Sequence, residues 1–275
     1  QTCALPIFMG AAVVGLAAIV ALFTVIWVFS VTRRDASIAD VWWGPGFALL
    51  AWLYCALLAG VRPRPLLLAT LLTLWAARLA WHIGRRHLGA GEDRRYQAMR
   101  ARHGQAFWWR SLFLVFWLQA TLVWLIALPA LAVSASGGVG LTILDAIGTV
   151  LFFAGSSIEA IGDEQLRRFM ASPANRGKVL DSGLWRYSRH PNYFGDAVVW
   201  WGVYVLAASA PGGWMTFISP LLMTFLLARV SGVTLLEGYL RTSKPAYADY
   251  VARTSSFVLW FPSGREPPRT PENSD

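Results

Sequence analysis

Long apolar runs, each about the length of one membrane crossing, alternate with polar segments along this chain. They occupy residues 7–29, 38–59, 66–83, 112–133, 141–161, 193–210 and 215–236. A helix needs ~20 residues to cross a hydrocarbon layer about 30 Å thick, and the runs match that length. The strands of a membrane barrel would be ~10 residues of alternating polarity, which is not the pattern here. Some breaks between runs are turn signals: VRPRP after the second, SASGGVG after the fourth and APGGW after the sixth. Two others are long and basic. Residues 84–110 carry Arg85, Arg86, Arg94, Arg95, Arg100, Arg102 and Arg110, and residues 162–192 carry Arg167, Arg168, Arg176, Lys178, Arg186 and Arg189. The pattern predicts an all-α integral membrane protein with seven transmembrane helices. A single domain is expected over residues 1–262, with a disordered tail over 263–275 ending in REPPRTPENSD.

Composition agrees. Hydrophobic residues make up 56% of the chain and charged residues 14%, well under the ~25% charge of a soluble domain. The net charge of +9 would raise the question of nucleic acid in a soluble protein, but its distribution gives another answer. Lys and Arg collect after the first, third, fifth and seventh runs, whereas the opposite side has only Arg62 and Arg64. Positive charge stays in the cytoplasm, so the N-terminus is expected outside and the C-terminus inside. Neither nucleic acid nor an obligate protein partner is expected. Cys3 and Cys55 show no pairing or metal spacing and read as inert. No inverted repeat of the transporter kind is evident.

A charge at bilayer depth costs several kcal/mol by insertion scales, so each intramembrane ionisable residue is a candidate for function. They are Asp40, Arg78, His82, Asp145, Glu159, Asp196, Arg229 and Glu237. Asp145, on the expected outer side, reads as interfacial. The others gather toward the basic loops, as a cytoplasm-facing enzyme site would require and a transport path would not. Arg78 and His82 share a helix face with Trp75. Gly44 and Gly46 around Pro45 are expected to break the second helix and let backbone or ligand come close. Asp40 reads either as a cap paired with Arg78 or as a buried acid kept protonated by desolvation. Glu159, Asp163 and Arg167 recur four apart, on a face that is either solvated or part of a site. Arg229 is expected to need a partner, Glu237 or a bound anion.

One stretch concentrates this chemistry: LDSGLWRYSRHPNYFGD at residues 180–196. Arg186, Arg189 and His190 stand there with two tyrosines, Asn192 and Asp196. They either mark the cytoplasmic interface or form one wall of a pocket for an anionic ligand. Pro191 is expected to stop the loop, with Asn192 presenting its amide to a ligand or capping the next helix.

DVWWGPGFALLAW, LWAARLAWHIGRR, GEDRRYQAMRARHGQAFWWRSLF, SGLWRYSRHPNYFGD and YADYVARTSSFVLWFP together resemble the steroid 5α-reductase superfamily. Within it the chain is most similar to the bacterial branch of seven-span proteins, the DUF1295 group. The terminal motif is shared with isoprenylcysteine carboxyl methyltransferases and sterol reductases, so the N-terminal motifs favour this branch.

The resemblance implies NADPH in a cytoplasm-facing cavity and reduction of the double bond of a Δ4-3-ketosteroid. The family's ketone-holding glutamate and tyrosine correspond to Asp40 and Trp75, both departures, with Arg78 matching the family arginine three residues on. Tyr54 or His82 are further candidate donors. Cofactor positions carried over are Tyr187, Asn192 and Asp196 in the RYSRHPNYFGD motif, Asp163 and Arg167 after the fifth run, and Lys178. Arg94, Tyr96 and Arg100 are candidates in the first polar loop. Arg78, Glu159, Arg189, His190 and Arg229 complete the cofactor set, and no metal is expected. No strand-embedded G-x-G-x-x-G occurs, so arginines and backbone N–H groups would hold the phosphates. Asp40 is then expected to serve as the acid near the carbonyl oxygen while hydride reaches the β-carbon. The expected partners are a steroid-like lipophilic enone and membrane lipid, in the bacterial inner membrane. The alternative is a membrane methyltransferase using S-adenosylmethionine.

Overall fold

The computed structural model describes residues 4–59, 62–87, 91–137, 140–230 and 247–263. Cys3, Glu237, the end of the seventh run and the tail from residue 264 lie outside them. The described residues form helices joined by turns and loops, with no strand among them. Among the described residues, six helical stretches are long and apolar enough to cross a membrane: Pro6–Arg33, Ile38–Leu58, Pro63–His87, Arg94–Ile126, Ile143–Ala171 and Gly213–Val230. This is the composition of a multi-pass membrane protein. A helix also occupies the sixth predicted span, Pro191–Ala208. It falls short of that hydropathy because its first turns carry Asn192, Tyr193 and Asp196.

The chain forms two compact units: residues 1–147 with 203–219, and residues 148–202 with 220–275. In the first, α1 (Ala4–Arg33), α2 (Ile38–Tyr54) and α3 (Pro63–His87) pack together with α4 (Arg94–His103), α5 (Phe107–Ser111), α6 (Leu118–Ile126) and α7 (Leu128–Ala135). Helix α2 runs unbroken through Pro45, contrary to the expected break. The flanking glycines serve close approach instead. A Cβ on Gly44 would stand 3.2 Å from Ala76 Cα of α3, and one on Gly46 would stand 3.0 Å from Ile19 of α1. At the far end of α2, the Tyr54 ring lies over Gly15, where any side chain would collide with it.

Much of the first predicted loop is helix. Asp93 accepts a hydrogen bond from Arg95 N–H as the N-cap of α4, and Gly104, at φ 54°, ends it. The fourth span is interrupted by a π-helical turn, Leu112–Trp117. It breaks again at Ala127, ahead of Pro129.

Asp145, expected to be interfacial, is buried. Its two oxygens take the Nε and Nη2 of Arg64 at 2.8 and 3.0 Å. The N–H and hydroxyl of Thr142 and the hydroxyl of Ser209 complete the shell.

In the second unit, α8 (Ile143–Ala171, its greater part lying here) continues ten residues past the predicted end of the fifth span. Glu164 supports that extension by pairing with Arg167 and Arg168, three and four residues on. Helix α8 meets α9 (Pro191–Ala208) through small residues. A Cβ on Gly155 would lie 2.6 Å from the Gly195 carbonyl oxygen, and one on Gly202 would lie 2.7 Å from that of Gly148. Helices in lipid gain their contact from such close backbone approach. Helix α10 (Ile218–Phe225) ends in a π-helical turn, Leu226–Val230, and α11 (Tyr247–Arg253) follows the undescribed segment.

Candidate functional site

In the first unit, the α1–α2 turn is fastened to the start of α4. Asp35 accepts from the N–H and hydroxyl of Ser37, and the Ser37 hydroxyl accepts from Asp93 N–H at 2.7 Å. Glu92 accepts from Ala36 N–H and takes Arg100 in a bidentate pair at 2.8 and 2.9 Å. This fixes α4 beside the first turn of α2, where Asp40 stands.

Asp40 is the centre of the arrangement that results. The Tyr96 hydroxyl donates to one carboxylate oxygen at 2.7 Å, and Arg95 Nη2 donates to the other at 2.8 Å. Arg95 is itself steered by its Nε bond to Asp93. Gln119 Nε2 donates to the Tyr96 oxygen at 3.1 Å, so the phenol is held from both sides. Tyr96 is buried, whereas Asp40 keeps 19% and Arg95 42% of the side chain exposed.

This corrects part of the sequence reading. Asp40 is not an isolated acid, because both its oxygens accept from donors and one donor is a guanidinium. Its cation is Arg95 rather than Arg78, which lies half-buried on α3. Tyr96 stands on Asp40; Trp75 does not. Trp75 packs edge-on against Phe47, seven residues from Asp40 along α2 and so roughly 10 Å away along the axis at 1.5 Å per residue. Tyr54, fourteen residues along, is roughly 21 Å away by the same measure. Of the first-loop cofactor candidates, Arg94 is exposed at the start of α4, and Arg100 is engaged by Glu92 and lies over the Phe107 ring.

Sequence reasoning missed Gln119, Glu92 and the pairing role of Arg95. A lone amide in the apolar run LFLVFWLQATLVW was the available signal for Gln119.

In the second unit, three carboxylates are buried near the crossing of α8 and α9: Glu159, Asp163 and Asp196. A Cβ on Gly195 would lie 2.5 Å from Glu159 N, which places Glu159 at the crossing itself. Asn192 Nδ2 donates to Asp163 Oδ1 at 3.0 Å. Its amide therefore reaches across to α8 instead of capping α9, whose first residue is Pro191. Asn192 Oδ1 is buried and accepts no hydrogen bond among the described residues. His190 is buried and stacks on Tyr193 at 5.6 Å.

Arg189 has a structural task. It donates to the Val251 and Thr254 carbonyls while its N–H bonds Ser255 O, tying the segment after α11 to the motif. Tyr250 joins the same knot through the Trp185 carbonyl, and burial pushes its phenol above the ordinary range. Tyr187 meets Phe261 edge to face, with its carbonyl accepting from Trp260 N–H. Arg167 pairs with Glu164 and not with Asp163, Lys178 is exposed in the loop, and Arg229 is exposed at the end of the turn after α10. Among the described residues no group of three or more His, Cys, Asp or Glu is placed to hold a metal ion.

The family described as "Protein of unknown function (DUF1295)" matches residues 26–254. An uncharacterized protein of Schizosaccharomyces pombe is 28% identical over 225 residues, covering 72% of this chain and 65% of the relative's own length. No solved structure matches.

Proposed function

Because this chain belongs to the DUF1295 family, whose motifs resemble those of the steroid 5α-reductases, we propose that it is an NADPH-dependent membrane reductase of a lipophilic enone. The substrate class is the Δ4 double bond of a 3-ketosteroid, and the site faces the cytoplasm of a bacterial inner membrane. The observation that carries the reading is the Tyr96 phenol, held between Asp40 and Gln119 where α2 meets α4. A ketone oxygen at Tyr96 would accept the phenolic proton that Asp40 now accepts, and Gln119 has a second N–H to offer.

This arrangement supplies what enone reduction needs from the protein. Negative charge develops on the carbonyl oxygen, and a preorganised donor there is worth about 10²–10³ in rate. Asp40 orients the phenol and Arg95 keeps the carboxylate in place, so Tyr96 takes the donor role first expected of Asp40. NADPH, when bound, supplies the hydride for the β-carbon, and water supplies the proton that the α-carbon takes. The second unit's residues fit the uncharged parts of such a cofactor. The open Asn192 Oδ1 can accept from a carboxamide N–H, and Glu159, Asp163 and Asp196 can accept from ribose hydroxyls. The phosphates would fall to the exposed basic residues of this same unit, Lys178 and Arg229.

The test is NADPH oxidation by the purified chain over a panel of Δ4-3-ketosteroids. Tyr96→Phe is expected to cut turnover about 10²–10³-fold while NADPH still raises the melting temperature. Full turnover in that variant would remove Tyr96 from the mechanism. Stabilisation by S-adenosylhomocysteine and not by NADPH would point to the transferase.

A further inference from the structure

At the C-terminal end of α1 lies a cavity of about 290 Å³. Its lining includes Ser30, Arg34, Arg100, Phe107, Trp108 and Ser111. Arg34 is the one non-glycine residue with positive φ among those described, at 52°. The reason is visible in the backbone. Arg34 N–H bonds Val31 O at 3.3 Å, and Asp35 N–H bonds Ser30 O at 3.0 Å. These are the two bonds of a Schellman cap, with Arg34 at the left-handed position that glycine ordinarily fills. A side chain there costs about 1–3 kcal/mol, and such strain gathers at sites of function.

The Arg34 guanidinium has no ion-pair or hydrogen-bond partner among the described residues. Arg100, on the same cavity, is balanced by Glu92. The cavity therefore carries one uncompensated positive charge, two buried serines and an aromatic wall. Its volume sits at the lower edge of the about 300–1,000 Å³ usual for small-molecule sites, enough for a headgroup and too small for a dinucleotide.

Its setting identifies the class of ligand. The cavity lies where two spans end, Pro6–Arg33 and Arg94–Ile126. Phe29 on the first, and Trp108, Phe113 and Leu114 on the second, are exposed large apolar side chains. Trp27 stacks on Trp108 at 6.3 Å, closing the two helices against each other. Arg33, Arg102 and Arg110 are exposed, lie within two residues of lining residues in sequence, and add positive charge to these segments, as juxtamembrane sites for acidic lipid do. We propose that this cavity holds the phosphate headgroup of an anionic glycerophospholipid. Arg34 is the phosphate ligand, and the acyl chains run along the exposed aromatic residues. The site is separate from the Asp40–Tyr96 pair and stands whether or not the chain is a reductase.

The experiment measures lipid binding to the purified full chain in detergent, by native mass spectrometry and thermal shift. The probes are phosphatidylglycerol, phosphatidylcholine with the same acyl chains, glycerol 3-phosphate and inorganic phosphate. Phosphatidylglycerol alone is expected to bind and stabilise. Arg34→Gly suits the left-handed backbone, so it should melt no lower than the wild type. It should still lower phosphatidylglycerol affinity about tenfold, the loss of one charge-assisted pair. Arg33→Gln removes an equal charge outside the cavity and should lower affinity only about twofold. Equal loss in both variants, or equal binding of the two lipids, would overturn the cavity assignment. Stabilisation by inorganic or glycerol phosphate as strong as by lipid would overturn the lipid source.

Discussion

Two arginine–carboxylate pairs in the first unit have the same chemistry and different surroundings. Arg64 and Asp145 keep 5% and 2% of their side chains exposed, and their hydrogen-bonding capacity is spent inside the protein. Thr142 and Ser209 complete the carboxylate, and the Gly140 carbonyl takes a further Arg64 N–H. Arg95 and Asp40 are 42% and 19% exposed, and a buried phenol shares the carboxylate. The first pair closes on itself and clamps the start of α3 to the start of α8. The second leaves a phenol whose proton can be redirected. A charge within a span is therefore no mark of function by itself. What separates the two is exposure: one pair is sealed inside the protein and the other is open at its edge.

The sharpest way to break this comparison is to remove one partner from each pair. Asp145→Ala leaves Arg64 buried and uncompensated, which costs about 3–5 kcal/mol. Urea or thermal unfolding in detergent should show that loss. Asp40→Asn touches a part-exposed pair, for which about 0.5–1 kcal/mol is the expected scale. Its melting temperature should barely move, while turnover of a ketosteroid falls because the neutral amide no longer holds Arg95 and orients the phenol less firmly. If Asp40→Asn unfolds the chain as Asp145→Ala does, the pair at α4 is a clamp as well, and the site reading fails.

The same comparison shows what the sequence could and could not disclose. Apolar runs and the basic loops announced the membrane helices, since both follow from the solvent each segment must face. Asp40 and Tyr96 stood out as residues, but their pairing did not. It depends on α4 folding back over α2, which is decided by Asp93, Ser37 and Glu92 across 56 residues of chain separation. Asp145 was misjudged for a similar reason. Its partner Arg64 sits 81 residues away, after a turn that reads as an outer loop. Helical spacing put Asp163 beside Arg167, yet Glu164 takes that arginine and Asn192 takes Asp163. In each case local periodicity named the face, and a distant segment chose the partner.

The smallest expected effect concerns Asp93, which caps α4 and steers Arg95 toward Asp40. Burial pushes its carboxyl up. The side-chain and backbone bonds from Arg95, with the charges of Arg95 and Arg86, more than offset that and leave it below its ordinary 3.8. A carboxyl lowered on folding contributes stability that is whole above its unfolded value and fades as pH falls through its folded value. Asp93→Asn can still cap but cannot titrate. The stability difference between wild type and this variant should therefore stay constant at neutral pH and shrink below about pH 4. Its whole size is bounded by the about 1 kcal/mol typical of an N-cap. Melting curves of the two proteins from about pH 6 to about pH 3 would measure it. A difference that does not change with pH would show that Asp93 acts on α4 by geometry alone, leaving Arg95 to be positioned by Asp40 itself.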